Sequence, residues 1–172
     1  MALRALNLKQ QGTPLQFLSR FLIVFLPLYA LIELTTIYFS NNFFTQLIAA
    51  IQSQILKVIG ISTIHSGNIL RAAGATFEII PDCTGLMLIA MLVGLLYATR
   101  SVTNKHKLNI LLLGGAVLLI FNLLRLTLTI YTFVNFGQNT FELTHFALWI
   151  IDSLLVITIW LLAINKNLQN SQ

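Results

Sequence analysis

An all-α integral membrane protein is the fold class this sequence predicts: about four transmembrane helices, an amphipathic helix on the outer face and a small β-hairpin. Three observations carry it. Hydrophobic residues fill 57% of 172 positions and charged residues only 9%, and the mean hydropathy is +0.86, far from the balance of a soluble domain. The apolar residues gather in runs long enough to cross a bilayer. A net charge of +5 would suggest nucleic acid in a soluble chain, but here the basic residues stand between the apolar runs and read as topology signals. The expected partner is therefore the lipid bilayer and not nucleic acid. Residues 1–172 read as one membrane-embedded domain without internal repeats.

The first span is placed at about 21–39, apolar except for Glu33 and hydroxyl residues at its far end, after Arg4, Lys9 and Arg20. A cleaved signal peptide is the rival reading, but no small-x-small cleavage site follows a short core. The second span, about 84–99, is short: its 16 residues rise roughly 24 Å against a hydrocarbon core of about 30 Å. One of its ends is expected below the membrane surface. The third and fourth spans fall at about 108–134 and 143–164. Arg4, Lys9, Arg20, Arg100, Lys105, Lys107 and Lys166 then share one side, which puts both termini in the cytoplasm by the positive-inside rule.

Between the first two spans, Phe44, Leu47, Ile48, Ile51, Ile55 and Val58 recur at helical spacing, opposite Gln46, Gln52, Ser53 and Lys57. This predicts an amphipathic helix over about 43–59, lying on the outer membrane surface with its polar side to water. A fifth span is the alternative, disfavoured by those polar residues and by the charge distribution. Two β-prone runs then flank Ala73-Gly74, predicting an outer hairpin over about 67–80.

The residues able to do chemistry lie near the outer ends. Asn122, Arg125, Thr129 and Thr132 share one face of the third span. Glu142, His145, Trp149 and Asp152 share one face of the fourth. Polar stripes in lipid turn toward each other or toward a cavity. The single cysteine, Cys83, stands at the start of the short span, where a helix N-terminus and a nearby guanidinium favour the thiolate. His145 can take and return a proton. Arg125, or the N–H groups of Thr84 and Gly85, can hold an oxyanion. Each has a bland alternative. Cys83 can be a small buried hydrophobe, with Asp82 opposing its ionisation. Arg125 can be a structural ion pair with Asp152 or with Glu33. His65, also on the outer side, competes with His145. No cofactor or metal is expected.

In their order, "GNILRAAGATFEIIPDCTGL", "NLLRL" and "THFALW" resemble the exosortase and archaeosortase family of multispan cysteine transpeptidases, across roughly Ile61 to Trp160. The family pattern has cysteine, a small hydroxyl residue (usually serine) and glycine; Cys83-Thr84-Gly85 departs by one conservative change. Its arginine follows an asparagine, as Arg125 follows Asn122. Its third catalytic position is histidine in bacterial members, which His145 matches. The resemblance implies catalytic roles for Cys83, Arg125 and His145; Thr84, Gly85, Asn122, Glu142 and Asp152 are the expected supporting residues. It further implies that secreted proteins ending in a sorting signal of motif, membrane helix and basic tail are cleaved through a thioester at Cys83. The acceptor would be a surface polysaccharide or lipid, and the site would face outward from the cytoplasmic membrane of a bacterium. The rival reading is a non-enzymatic membrane subunit assisting secretion or polysaccharide export.

Overall fold

A computed structural model describes residues 13–38, 43–100 and 102–169. The topology signals Arg4 and Lys9, the end of the first expected span at Phe39 and the side chain of Lys166 lie outside the described residues. Three helices are long and apolar enough to cross a membrane: α1 (Pro14–Tyr38), α4 (Asn104–Phe136) and α5 (Gln138–Gln169). A shorter apolar helix, α3 (Leu86–Ala98), packs among them. At 13 residues it rises only about 20 Å. The turn that precedes it is a 3-10 helix over Pro81–Thr84.

The helices α4 and α5 form an antiparallel pair with the most extensive helix–helix interface of the fold. The sequence suggests a connecting segment of several residues after 134, but Gly137 alone separates them. Its φ of 83° and extended ψ of −174° turn the chain within one residue, a conformation open to glycine. Glu142 consequently lies one turn inside α5. Leu92 and Leu96 of α3, Leu118 of α4 and Val156 of α5 form one apolar cluster. At that end Trp160 donates its indole N–H to Thr99 Oγ1 at 2.9 Å. Gly94 lets α1 approach α3 closely: a Cβ there would lie 3.0 Å from the Phe21 ring.

The helix expected to lie on the membrane surface is α2 (Phe43–Val58), and of its polar residues Gln52 and Ser53 face inward while Gln46 and Lys57 are exposed. Thr45, Ala49, Gln52, Ser53 and Leu56 are buried, while Phe43, Phe44, Leu47 and Val58 are exposed. This corrects the expectation that Gln52 and Ser53 meet water. Each has found a protein partner instead: Gln52 Nε2 donates to Thr127 Oγ1 of α4 at 2.8 Å, and the Ser53 and Thr63 hydroxyls lie 2.9 Å apart. Buried polar groups tolerate an apolar surrounding only when paired in this way.

The expected hairpin is part of a three-stranded antiparallel sheet, β1 (Thr63–Ser66), β2 (Ile69–Ala72) and β3 (Ala75–Glu78), in that spatial order. The strand β1 escapes notice in the sequence because "TIHS" carries one strongly apolar residue and no alternation. Leu56, Ile61, Leu70, Ala72 and Ile130 form a second apolar cluster under the sheet, flanked by Phe77 and Val134.

Neighbouring glycines in α4 give a test of this packing. A Cβ at Gly114 would meet Ile159 Cγ2 at 2.8 Å, whereas one at Gly115 would meet nothing within 4 Å. Gly114→Ala is expected to lower stability by about 1–3 kcal/mol through overpacking, and Gly115→Ala to leave it unchanged or slightly raised. Thermal unfolding of the detergent-solubilised variants checks the contrast.

Candidate active site

The candidate nucleophile sits on a turn built by its neighbours. Ile80 is extended, at φ −93° and ψ 165°, as a residue before proline prefers. Pro81 then opens the 3-10 turn, in which the Cys83 N–H donates to Ile80 O at 2.8 Å. The Thr84 hydroxyl works in both directions. It donates to Pro81 O at 2.6 Å and accepts from the Leu86 N–H at 3.3 Å, tying the turn to the first residue of α3. A serine would make the same pair of bonds, so the hydroxyl is what this position uses.

Gly85 follows in the left-handed region, at φ 80°. A Cβ there would be strained and would stand 3.3 Å from the Asn122 side chain and from Leu119 Cδ2. Glycine is thus required twice, by backbone conformation and by the approach of α4. It also breaks the turn from α3. Cys83 therefore does not sit at the helix N-terminus, as the sequence suggests, but in a separate turn before it, and the macrodipole argument for its thiolate weakens accordingly.

The helix α4 holds that turn in place. Asn122, fully buried, donates its side-chain N–H to Cys83 O at 2.7 Å. One turn along the same face, Arg125 forms a buried ion pair with Asp152 of α5, Nη1 to Oδ2, at 2.5 Å. Of the two partners the sequence leaves open, Asp152 takes the arginine; Glu33 lies beside Tyr29 of its own helix. The Thr129 hydroxyl donates back to Arg125 O at 2.7 Å.

The pairing is incomplete. Asn122 Oδ1, Arg125 Nε and Asp152 Oδ1 are all buried without a partner among the described residues. Such groups carry an unmet hydrogen-bonding demand worth about 1–3 kcal/mol each.

Cys83 is half-buried. Burial pushes its thiol above the ordinary range; the Ile80 backbone contact and the Arg125 charge pull it down, and Asp82 pushes it up further. At neutral pH the resting group is accordingly the thiol.

His145 is exposed on α5, its ring stacked near Phe141 at 6.1 Å between centroids and 17° between planes. The charges of Arg125 and Asp152 both reach it, yet among the described residues it makes no hydrogen bond with Cys83. Glu142 turns away from it and accepts from Gln138 Nε2 at 2.9 Å. His65, on β1, lines a separate surface pocket with Phe43, Gln46 and Leu47. A second surface pocket, of about 440 Å³, is lined by Ile61, Ser62, Ala73, Tyr131 and Asn135 among others; it contains none of the candidate residues.

Gln52 and Thr127 were not candidates in the sequence, yet they clamp α2 to the helix that carries Asn122 and Arg125. A signal existed: Thr45, Ala49, Gln52 and Ser53 form a stripe of small and polar residues at helical spacing, which suits close packing in a membrane.

A family model described as transmembrane exosortase matches residues 6–164. No curated protein and no solved structure matches the chain.

The raised thiol pKa has a measurable consequence. Alkylation of Cys83 in micelles by a soluble maleimide is expected to be slow at pH 7 and to reach half its maximal rate at a higher pH than a solvent-exposed reference cysteine. A midpoint at or below the reference would contradict the burial argument.

Proposed function

The chain belongs to the transmembrane exosortase family, and from that premise we propose that it is a membrane-embedded cysteine protease and transpeptidase with Cys83 as its nucleophile. The observation that carries this reading is the turn at Cys83, fastened by Asn122 beside the unfilled donors and acceptors of Arg125 and Asp152. The substrates are secreted proteins ending in a sorting signal of motif, membrane helix and basic tail.

The steps follow from the residues. The Cys83 sulfur attacks the carbonyl carbon of the scissile peptide as His145 takes the thiol proton. Arg125, whose Nε–H is buried and unpaired, stabilises the oxyanion electrostatically. The C–N bond breaks, the leaving amine takes the proton from His145, and a thioester remains on Cys83. An acceptor nucleophile on a surface polysaccharide or lipid then attacks the thioester, passing its proton to His145 and releasing the thiolate, which His145 reprotonates. Asp152 holds Arg125 in position by their ion pair. The protein would reside in the bacterial cytoplasmic membrane with both termini inside and the site facing outward.

The same ion pair favours a second reading, in which Arg125 and Asp152 serve structure alone and the chain is a non-enzymatic subunit for secretion or polysaccharide export. The readings separate on two variants. Under the enzymatic one, Cys83→Ala abolishes processing of sorting-signal proteins while the variant inserts at normal abundance, as immunoblots of membrane fractions and substrate maturation will report. Processing at the normal level by that variant sinks the enzymatic reading. Under the structural one, Cys83→Ala is silent and Arg125→Ala lowers abundance, since removing one member of a buried pair costs about 3–5 kcal/mol.

A further inference from the structure

The strand β3 ends five residues before Cys83, and its turn geometry determines which of its backbone groups are free. Ala73 and Gly74 have φ values of 50° and 81°, the two positive values of a type I′ hairpin turn. The flanking residues Ala72 and Ala75 then exchange both ladder bonds. Along an antiparallel pair, bonded and non-bonded positions alternate. Arg71 opposite Thr76 and Ile69 opposite Glu78 are therefore the non-bonded pairs. The Ile79 N–H donating to Asn68 O at 2.9 Å agrees with that alternation. The N–H and C=O of Thr76 and of Glu78 consequently point away from β2.

Nothing meets them there. The sheet has no strand beyond β3, no backbone bond among the described residues takes up these four groups, and both side chains are exposed. The opposite edge, β1, lies against α2. Among the described residues β3 presents an open ladder on the side away from β2.

Its surroundings connect that ladder to the candidate chemistry. Phe77, on the inward face, meets Phe133 edge-on at 5.2 Å and Phe141 at 6.2 Å, and Phe141 stacks near His145. Asn68 secures the strand's end, with its amide 3.3 Å from Glu78 Oε1 and 3.4 Å from Ile79 O. Beyond it the chain passes through Ile80 and Pro81 directly into the turn of Cys83.

We propose that the free edge of β3 is a peptide-binding site: the extended segment of the protein substrate that precedes its membrane helix adds as a fourth strand, bonded to the backbone of Thr76 and Glu78. Strand addition supplies affinity through main-chain bonds and lets alternate side chains be read. A peptide aligned on this edge is led along β3 toward the Cys83 thiol. An occupant attached to a membrane helix also matches a site whose two neighbours, Cys83 and His145, belong to a membrane bundle. The proposal rests on the reading of Cys83 as the nucleophile.

Two measurements on the full-length chain in host membranes test it. A benzophenone amino acid replacing Thr76 in the Cys83→Ala background should, on irradiation, crosslink to secreted proteins at the residues just before a C-terminal apolar helix; the same probe replacing Ile64 on β1 should not. Adducts only with another copy of this chain, no protein adduct, or equal capture from Ile64 would overturn it. In the otherwise native chain, Thr76→Pro removes one outward N–H and no ladder bond, and is expected to raise KM for processing at least tenfold while Thr76→Ala leaves it unchanged. Equal effects of the two, or none from proline, would overturn it also. The failures are distinguishable: processing by Cys83→Ala removes the enzymatic reading, whereas loss of processing in Cys83→Ala with an unaffected Thr76→Pro removes only the strand-addition site.

Discussion

The buried pair between Arg125 and Asp152 is the constraint around which the functional end of this bundle is arranged. An unpaired guanidinium or carboxylate inside an apolar helix bundle costs several kcal/mol, so α4 and α5 can pack here only in the register that brings the two together. That register is made rigid by a one-residue connection at Gly137 and by the close approach of Gly114 to Ile159. Once it is set, Asn122 lies one turn from Arg125 on the same face. Its amide then has one direction in which to donate, toward the carbonyl of Cys83.

The turn carrying Cys83 is the part of the chain most fully determined by its own short sequence. Pro81 starts it, the Thr84 hydroxyl ties both its ends, and Gly85 supplies a positive φ and room for Asn122. None of this ionises the thiol, which burial keeps protonated at neutral pH. The charges that act on it come from other helices as well as from its own turn. Arg125 is near enough to act on the thiol electrostatically, and His145 stands at the edge of the same charge pair.

The sheet and α2 complete this end of the bundle by different means. The helix α2 turns Gln52 and Ser53 inward, where Thr127 and Thr63 pair with them, and leaves Phe43, Phe44, Leu47 and Val58 exposed beside Gln46 and Lys57. The sheet rests on Leu56, Leu70, Ala72 and Ile130, and its last strand runs into the turn of Cys83. Apolar packing thus positions the strand, while polar pairing positions the helix beside it.

Membrane class, the four apolar helices and the turn at Ala73-Gly74 were legible in the sequence, because hydropathy and backbone preference are local quantities. So were Cys83, Arg125 and His145 as candidates, since ionisable residues in apolar runs are costly enough to stand out. Three things were not legible. Periodicity shows that Gln52 and Ser53 share a side of α2 but not whether that side meets water or protein, since the answer lies in Thr127 and Thr63, distant in the chain. The strand β1 has no pattern of its own and exists because β2 offers it an edge. The choice of Asp152 over Glu33 as partner of Arg125 required the packing of α4 against α5, for both carboxylates sit at plausible depths. The sequence by itself determined which groups must be satisfied; only the tertiary structure decided which partner satisfies each, because hydrogen bonds and ion pairs act over a few ångströms between residues that the fold alone brings together.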